Sequence, residues 1–510
     1  MADNSLNINN KIWNIAGVLM DDGVSNSDYL EQITFLLFLK MIDENKKAGD
    51  FANFDDIPLP DGYSWDLLKS KSGDELTKHY QEMLTAFSEE KGMLGEIYRK
   101  AQNKIQTPAR LKKVIDMIDG VSWNEQSEDV KGEIYEGLLA KIAQDTKSGA
   151  GQYFTPRALI NVIVKCADPK PGKHISDPCC GSGGFLLAAK KYITDNYNLS
   201  GDEQKQLQTN LIKGNEIVPN TYRLCLMNLL LHGIGEMGGE SPIECKDSLA
   251  TTPTADELSD FVLTNPPFGK KTSEAVEKKV TNKETGEEET KIDRKAEVYS
   301  RTDFIVQTTN KQLNFLQHIK SMLKIGGTAA VVLPDNVLFE GGAGENIRKN
   351  ILKTCDLHTI LRLPTGLFYA QGVKANVLFF EKKEASERPH TSEVWIYDYR
   401  TGIKHTLKQN PLQESDLQDF INCYNPKNRH QRTETYNPET NPEGRWRRFT
   451  YDEITSRDKT SLDITWIKQA SDSEDTPLSE LLEQIQQKSQ NISQAAQKLS
   501  ELLNTVVETC

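Results

Sequence analysis

Asp177-Pro178-Cys179-Cys180-Gly181-Ser182-Gly183-Gly184-Phe185 decides the fold of this 510-residue chain. A short β-rich run, residues 174–176, precedes it and a helical stretch, residues 185–196, follows, so it reads as strand, glycine-rich turn and helix in succession. The turn lacks the Gly-Lys-Ser/Thr ending of a phosphate-binding P-loop. It also misses the G-x-G-x-x-G pattern, since neither Phe185 nor Leu186 is glycine. Its glycines let the backbone come close to a ligand, and Asp177 could face a cationic ammonium. Downstream, further strands are predicted at 212–215, 242–245, 261–264, 329–333, 359–363 and 377–380, with helical segments between several of them, such as 313–323. That alternation predicts a doubly wound α/β sheet, in which ligands lie beyond the carboxyl ends of the strands.

The next strand ends carry polar groups in the same register. Gly214-Asn215-Glu216 places a carboxylate where it can accept two ribose hydroxyls. Asp247-Ser248 places another that could accept an adenine amino group. The fourth strand opens into Asn265-Pro266-Pro267-Phe268. Two prolines after an asparagine leave the backbone little freedom. The Asn265 side-chain oxygen and the Pro266 carbonyl can each accept one N–H bond, and the Phe268 ring can lie against a planar substrate. Such a site grips an exocyclic amino group and leaves its nitrogen lone pair free. A buried strand followed by a rigid turn accounts for the same four residues taken alone. What favours chemistry is Asp177, Glu216, Asp247 and Asn265 at successive strand ends.

Upstream, Gly149-Ala150-Gly151-Gln152-Tyr153-Phe154-Thr155-Pro156-Arg157 leads into a helix that Thr155 can cap, with Pro156 in its first turn. Free N–H groups at such an end favour an anion, for example the carboxylate of an amino-acid ligand; a plain helix start is the alternative.

Composition bounds the rest. With 37% hydrophobic and 26% charged residues the chain is of ordinary globular type and long enough for two to four domains. A net charge of −13 makes it a poor autonomous binder of a polyanion. The eight cysteines show no C-x-x-C spacing, so neither a disulfide framework nor a metal site is expected, and reduced thiols in a cytoplasm are the simplest reading. The N-terminus has no signal-peptide pattern, and the strongest apolar run, residues 33–42, is too short to span a membrane. Residues 1–135 read as an all-helical domain, with Ser27 a plausible cap, and 136–390 as the α/β domain. Within the latter, 270–301 is dense in Lys and Glu and reads mostly as a solvated loop, with a substrate-ordered lid as the alternative. Residues 391–470 read as a mixed extension; its Arg445-Trp446-Arg447-Arg448 cluster suits either a phosphate contact or an exposed turn with a packed Trp. In 471–510, Leu478, Leu482, Ile485, Ser489, Ile492, Ala496, Leu499, Leu503 and Val506 recur at heptad spacing, which suits docking to a partner chain or to its own domain.

The series GQYFTP, DPCCGSGGFL, GNE, KDSL and NPPF, in this order, resembles the gamma-order amino-methyltransferases that use S-adenosylmethionine. Residues 224–233 (LCLMNLLLHG), 339–344 (FEGGAG), 363–368 (LPTGLF) and 372–380 (GVKANVLFF) narrow this to a resemblance to the modification subunit of type I restriction–modification systems. The resemblance implies a class I S-adenosylmethionine-dependent methyltransferase (Rossmann-like) sheet, preceded by the helical domain and followed by a coiled-coil-like helix. It implies cofactor contacts from Gln152, Tyr153, Phe154, Thr155, Pro156, Arg157, Ser182, Gly183, Gly184 and Glu216, with Asp177 and Asp247 beside them, and no metal. An adenine flipped from double-stranded DNA would sit on Asn265, Pro266, Pro267 and Phe268, with Phe368 or Tyr369 as a second wall. The partners implied are a specificity subunit that reads the DNA, a second modification subunit and a restriction subunit, with no membrane. NPPF also occurs in enzymes that methylate protein glutamine or rRNA guanine amino groups, and a non-catalytic scaffold is a further alternative. The helical domain and terminal heptads weigh against the former, the intact Asp177, Glu216 and Asn265 against the latter.

Overall fold

The computed structural model describes residues 26–48, 59–105, 107–120, 155–269, 273–281, 288–296, 298–368, 372–407 and 409–467. Among the described residues five helices come first: α1 (Asn26–Ala48), α2 (Trp65–Ser70), α3 (Gly73–Ser88), α4 (Gly92–Tyr98) and α5 (Pro108–Asp119). The apolar run 33–42 lies in α1, where Ile33, Phe35, Leu36, Leu37, Phe38, Leu39, Met41 and Ile42 are all buried. Apolar residues on every side of a helix need protein on every side. Among the described residues no helix is long and apolar enough to cross a membrane. Ser27 does not cap α1, which already starts at Asn26.

The α/β region follows as α6 (Arg157–Ala167), β1 (Ile175–Asp177), α7 (Gly184–Asn196), α8 (Gly201–Thr209), β2 (Ile212–Asn215), α9 (Pro219–Leu231), β3 (Ile243–Glu244), β4 (Ser259–Thr264), β5 (Ser273–Thr281), β6 (Glu288–Ala296), α10 (Lys311–Met322), β7 (Leu323–Pro334), α11 (Asn336–Phe339), α12 (Ala343–Thr354), β8 (Cys355–Arg362), β9 (Ala375–Lys382), β10 (Glu393–Asp398), α13 (Gln418–Tyr424), β11 (Trp446–Thr450) and α14 (Tyr451–Thr455). Nine strands form one sheet in the order β11-β10-β8-β9-β7-β4-β1-β2-β3. β1 is parallel to both β2 and β4, β4 to β7 and β8 to β10. β9 runs antiparallel between β7 and β8, and β11 antiparallel to β10. The chain steps outward from β1 through β2 to β3, then returns to place β4 on the other side of β1. This is the topological switch at which an open α/β sheet forms its ligand crevice.

The helical domain rests on the helix behind this crevice. Arg223 of α9 pairs with Glu31 of α1, Tyr222 Oη donates to Glu96 at 3.1 Å, and Leu94 N–H donates to the Met237 carbonyl at 3.2 Å.

Three expectations change. The boundary at residue 390 cuts the sheet, because β10 pairs with β8 and β11 pairs with β10. Residues 391–464 thus add strands to the α/β domain rather than a separate extension. The Arg445–Arg448 cluster is part of that addition. Trp446 is fully buried and stacked on Trp395 with centroids 5.2 Å apart, and the Arg445 guanidinium donates to the carbonyls of Asp398 (2.7 Å) and Thr401 (3.0 Å). Within 270–301, β5 and β6 form a two-stranded antiparallel ribbon paired from Ser273↔Ala296 to Thr281↔Glu288. Its Lys/Glu-rich sequence carries no apolar alternation to signal strands. The boundary near residue 135 and the heptad segment 471–510 lie outside the described residues.

Candidate active site

The glycine-rich turn is held from every side. Asp177, the last residue of β1, accepts the Cys179 N–H at 2.9 Å. The Cys180 N–H reaches the Asn215 carbonyl at the end of β2 (3.0 Å), and Ser248 Oγ donates to the Pro178 carbonyl (2.6 Å). From α9, Asn228 Nδ2 donates to the Ser182 carbonyl (2.7 Å); from α6, Arg157 donates to the Gly184 carbonyl (3.0 Å). Gly183 takes φ 87°, and a Cβ there would meet Leu229 and Cys225 at 3.1–3.2 Å, so both conformation and space require glycine.

Two carboxylates lie buried against this turn. Asp177 is 1% exposed. Burial pushes its carboxyl up to about 7, and the nearby Glu216 charge adds to the effect while the Cys179 N–H opposes it. Glu216, just past β2, accepts the Gly181 N–H at 3.1 Å and the Val218 N–H at 2.8 Å, and burial raises it as well. Asp247 accepts the Leu249 N–H (2.9 Å) and the hydroxyl of Tyr299 (2.8 Å). Tyr299 follows β6 in the chain, and nothing in the sequence pointed to it. Ile217, beside Glu216, was also missed; it is a large apolar side chain left 57% exposed at the crevice.

Asn265 stands one residue past β4. Its Nδ2 donates to Thr155 Oγ1 at 2.8 Å, and its Oδ1 is buried with no hydrogen-bond partner. Thr155 therefore does not cap α6. The Pro156 carbonyl takes the first helical N–H bonds, from Leu159 (3.0 Å) and Ile160 (3.1 Å), and α6 has no side-chain cap. Phe268 meets Phe368 edge to face, with centroids 5.2 Å apart and planes at 85°; Tyr369 lies outside the described residues, as do Gln152, Tyr153 and Phe154. A cavity of about 580 Å³, lined by Pro156, Arg157, Leu367, Leu407 and Leu412 among others, opens between the start of α6 and the loop that carries Phe368.

The structure thus brings Thr155 to Asn265, Arg157 to the glycine turn, and Glu216 to Gly181. These residues fit S-adenosylmethionine and an amino substrate. Two buried carboxyls raised by desolvation gain from a cation, the glycine turn admits close approach, and an unpartnered amide oxygen costs free energy until an N–H reaches it.

Comparison with known proteins agrees with that chemistry. The sequence profile of the N-6 DNA methylases matches residues 126–474, and that of the HsdM N-terminal domain matches residues 8–118. The type I restriction enzyme StySPI methylase subunit of Salmonella potsdam is 38% identical over 492 residues, covering 90% of this chain and 87% of that one. The crystal structure of the type I restriction enzyme EcoKI M protein matches at 33% identity with a TM-score of 0.52, covering 96% of this chain and 94% of that one. A structure from a study of complex assembly in the type I R-M system shares the fold with a TM-score of 0.70 at 24% identity, covering 97% and 98% of the two chains. The chain belongs to the N-6 DNA methylases, among the methylase subunits of type I restriction enzymes.

Proposed function

We propose that this chain transfers methyl groups to adenine N6 in DNA as the modification subunit of a type I restriction–modification complex, and that Asn265, Pro266, Pro267 and Phe268 hold the target base. The observation that carries the reading is the buried, unpartnered Asn265 Oδ1 one residue past β4, a strand that flanks β1 at the topological switch. An adenine extruded from double-stranded DNA would present its amino group there, with Phe268 against its plane and Phe368, once parted from Phe268, as a second wall. Asn265 Oδ1 and the Pro266 carbonyl accept the two N6 hydrogens, which draws N6 out of conjugation and turns its lone pair outward. S-adenosylmethionine supplies the methyl on a sulfonium, which leaves as a neutral thioether as the new N–C bond forms. The extra N6 proton passes to solvent afterwards, so no strong base is required before attack, and positioning and electrostatics carry most of the rate.

The cofactor side falls to Asp177, Ser182, Gly183, Gly184, Glu216 and Asp247, with Gln152, Tyr153, Phe154, Pro156 and Arg157 along the approach to α6. Ile217 adds an exposed apolar face for the cofactor's adenine. The net charge of −13 favours dependence on a specificity subunit for DNA affinity, with a second modification subunit closing around the duplex, a restriction subunit joining for cleavage, and residues 471–510 serving subunit docking in a bacterial or archaeal cytoplasm.

The test is methyl transfer by the chain co-expressed with its specificity subunit. N6-methyladenine in DNA is expected, and Asn265→Ala should abolish it while gel filtration still finds the complex. Label appearing only in a release factor or rRNA, or loss of assembly in the variant, would overturn the reading.

A further inference from the structure

The hydroxyl of Thr155 has no part in starting the helix beside it. α6 begins from the Pro156 carbonyl, while Thr155 Oγ1 accepts the Asn265 amide N–H at 2.8 Å across 110 residues of sequence. Thr155 is only 7% exposed, so water does not compete freely for this bond. An asparagine amide has two ends of nearly equal size and opposite hydrogen-bonding character. If it turned over, Asn265 would aim N–H groups at the amino group of a bound adenine, which also presents N–H groups, and the contact would become repulsive. In the observed arrangement Nδ2 is tied down and Oδ1, unpartnered, is the end left to receive a donor.

We propose that Thr155 is a positioning residue: its hydroxyl, accepting the Nδ2–H bond, anchors the Asn265 side chain in the place from which Oδ1 receives the N6 amino group. The proposal rests on the reading of Asn265 as the base clamp. It also assigns the segment ending in Thr-Pro-Arg a task beyond cofactor contact. Two residues after Thr155, Arg157 holds the Gly184 carbonyl. One short segment therefore touches both the glycine turn and the base clamp, and seating it properly prepares both.

The experiment compares Thr155→Val, Thr155→Ser, Asn265→Ala and the Thr155→Val/Asn265→Ala double variant, each in complex with the specificity subunit. Valine keeps the shape and removes the hydroxyl; serine keeps the hydroxyl. Expected is a roughly 10- to 100-fold fall in kcat for Thr155→Val, with S-adenosylmethionine affinity by calorimetry within about 3-fold of the parent. Thr155→Ser should restore most of the rate. Against any residual single-turnover rate of Asn265→Ala, the double variant should be no slower, since the two residues act through one bond. A Thr155→Val protein that loses cofactor affinity in proportion to kcat, or that retains the parent rate while Asn265→Ala is dead, overturns the positioning role. Full activity in Asn265→Ala instead overturns the clamp on which it rests. Equal thermal midpoints for the Val and Ser variants separate a lost contact from a damaged fold; a rate loss that Ser fails to rescue at equal midpoints also counts against the proposal.

Discussion

Replacing Asp177 with asparagine should stabilise the ligand-free protein at pH 8 while removing its grip on the cofactor. Burial holds the Asp177 carboxyl at about 7 against an ordinary 3.8. Between those values the folded protein keeps a proton that the unfolded chain has released, so stability falls as pH rises through this window. The cost is absent below about pH 4 and constant above about pH 7, where it amounts to roughly 4 kcal/mol. Asparagine has the same shape, can still accept the Cys179 N–H through its Oδ1 and does not ionise. The stability difference between variant and parent should therefore grow by about 2–3 kcal/mol from pH 5 to pH 8. With an unfolding entropy of about 2.1 cal/mol/K per residue over roughly 300 cooperating residues, that is about 4 °C in midpoint. Taking the difference between the two proteins cancels the titrating groups that do not interact with Asp177. Thermal unfolding at the two pH values measures it. In parallel, a cationic ligand binds the ionised carboxylate, so S-adenosylmethionine affinity of the parent should weaken about tenfold per pH unit below 7 and level off above it, while the variant binds weakly at every pH. A midpoint difference that does not change with pH, or a variant that binds the cofactor like the parent, refutes the argument.

Two further outcomes follow from contacts already described. Phe368→Leu keeps bulk but loses the ring that meets Phe268, and retention of a flipped 2-aminopurine at the target position should fall roughly 2- to 10-fold by fluorescence, the range of a single aromatic contact. Trp446→Ala removes a fully buried ring stacked on Trp395; it should cost about 3–5 kcal/mol of stability and lower the unfolding midpoint of the whole α/β domain, while calorimetry finds cofactor affinity of the folded protein unchanged. Unfolding of residues 391–464 as a separate early transition would contradict the shared sheet.

What the sequence disclosed depended on whether the signal was local. The ends of β1, β2 and β4 were legible because a buried strand, a polar residue and a breaker follow one another within a few positions, and Asp177, Glu216 and Asn265 stand there. β10 and β11 were not. Trp395 and Trp446 make one layer only after 50 residues rich in Asn and Pro return to the sheet, and an Arg-Trp-Arg-Arg run read alone looks like surface. Thr155 was legible as a helix cap by its neighbours Pro156 and Arg157, but its partner lies on another strand's end, and a tertiary hydrogen bond displaced the local one. Tyr299 and Ile217 carry no motif. One became visible by its bond to Asp247, the other by being an aliphatic side chain that folding leaves uncovered.

The edge-to-face meeting of Phe268 and Phe368 bears on how the enzyme treats the nucleotides dissolved around it. A flat ring held between two others needs about 7 Å between the outer planes, twice a van der Waals contact, whereas these rings stand with centroids 5.2 Å apart and nearly perpendicular. A free adenosine or ATP would have to part them using only the binding energy of one small molecule. A base still joined to a duplex brings the energy of many backbone contacts to the same task. If the two rings hold the target base as proposed, the closed pair is a threshold that a free adenine must open unaided, and methyl transfer to soluble adenosine or ATP should be far slower than to the polymer.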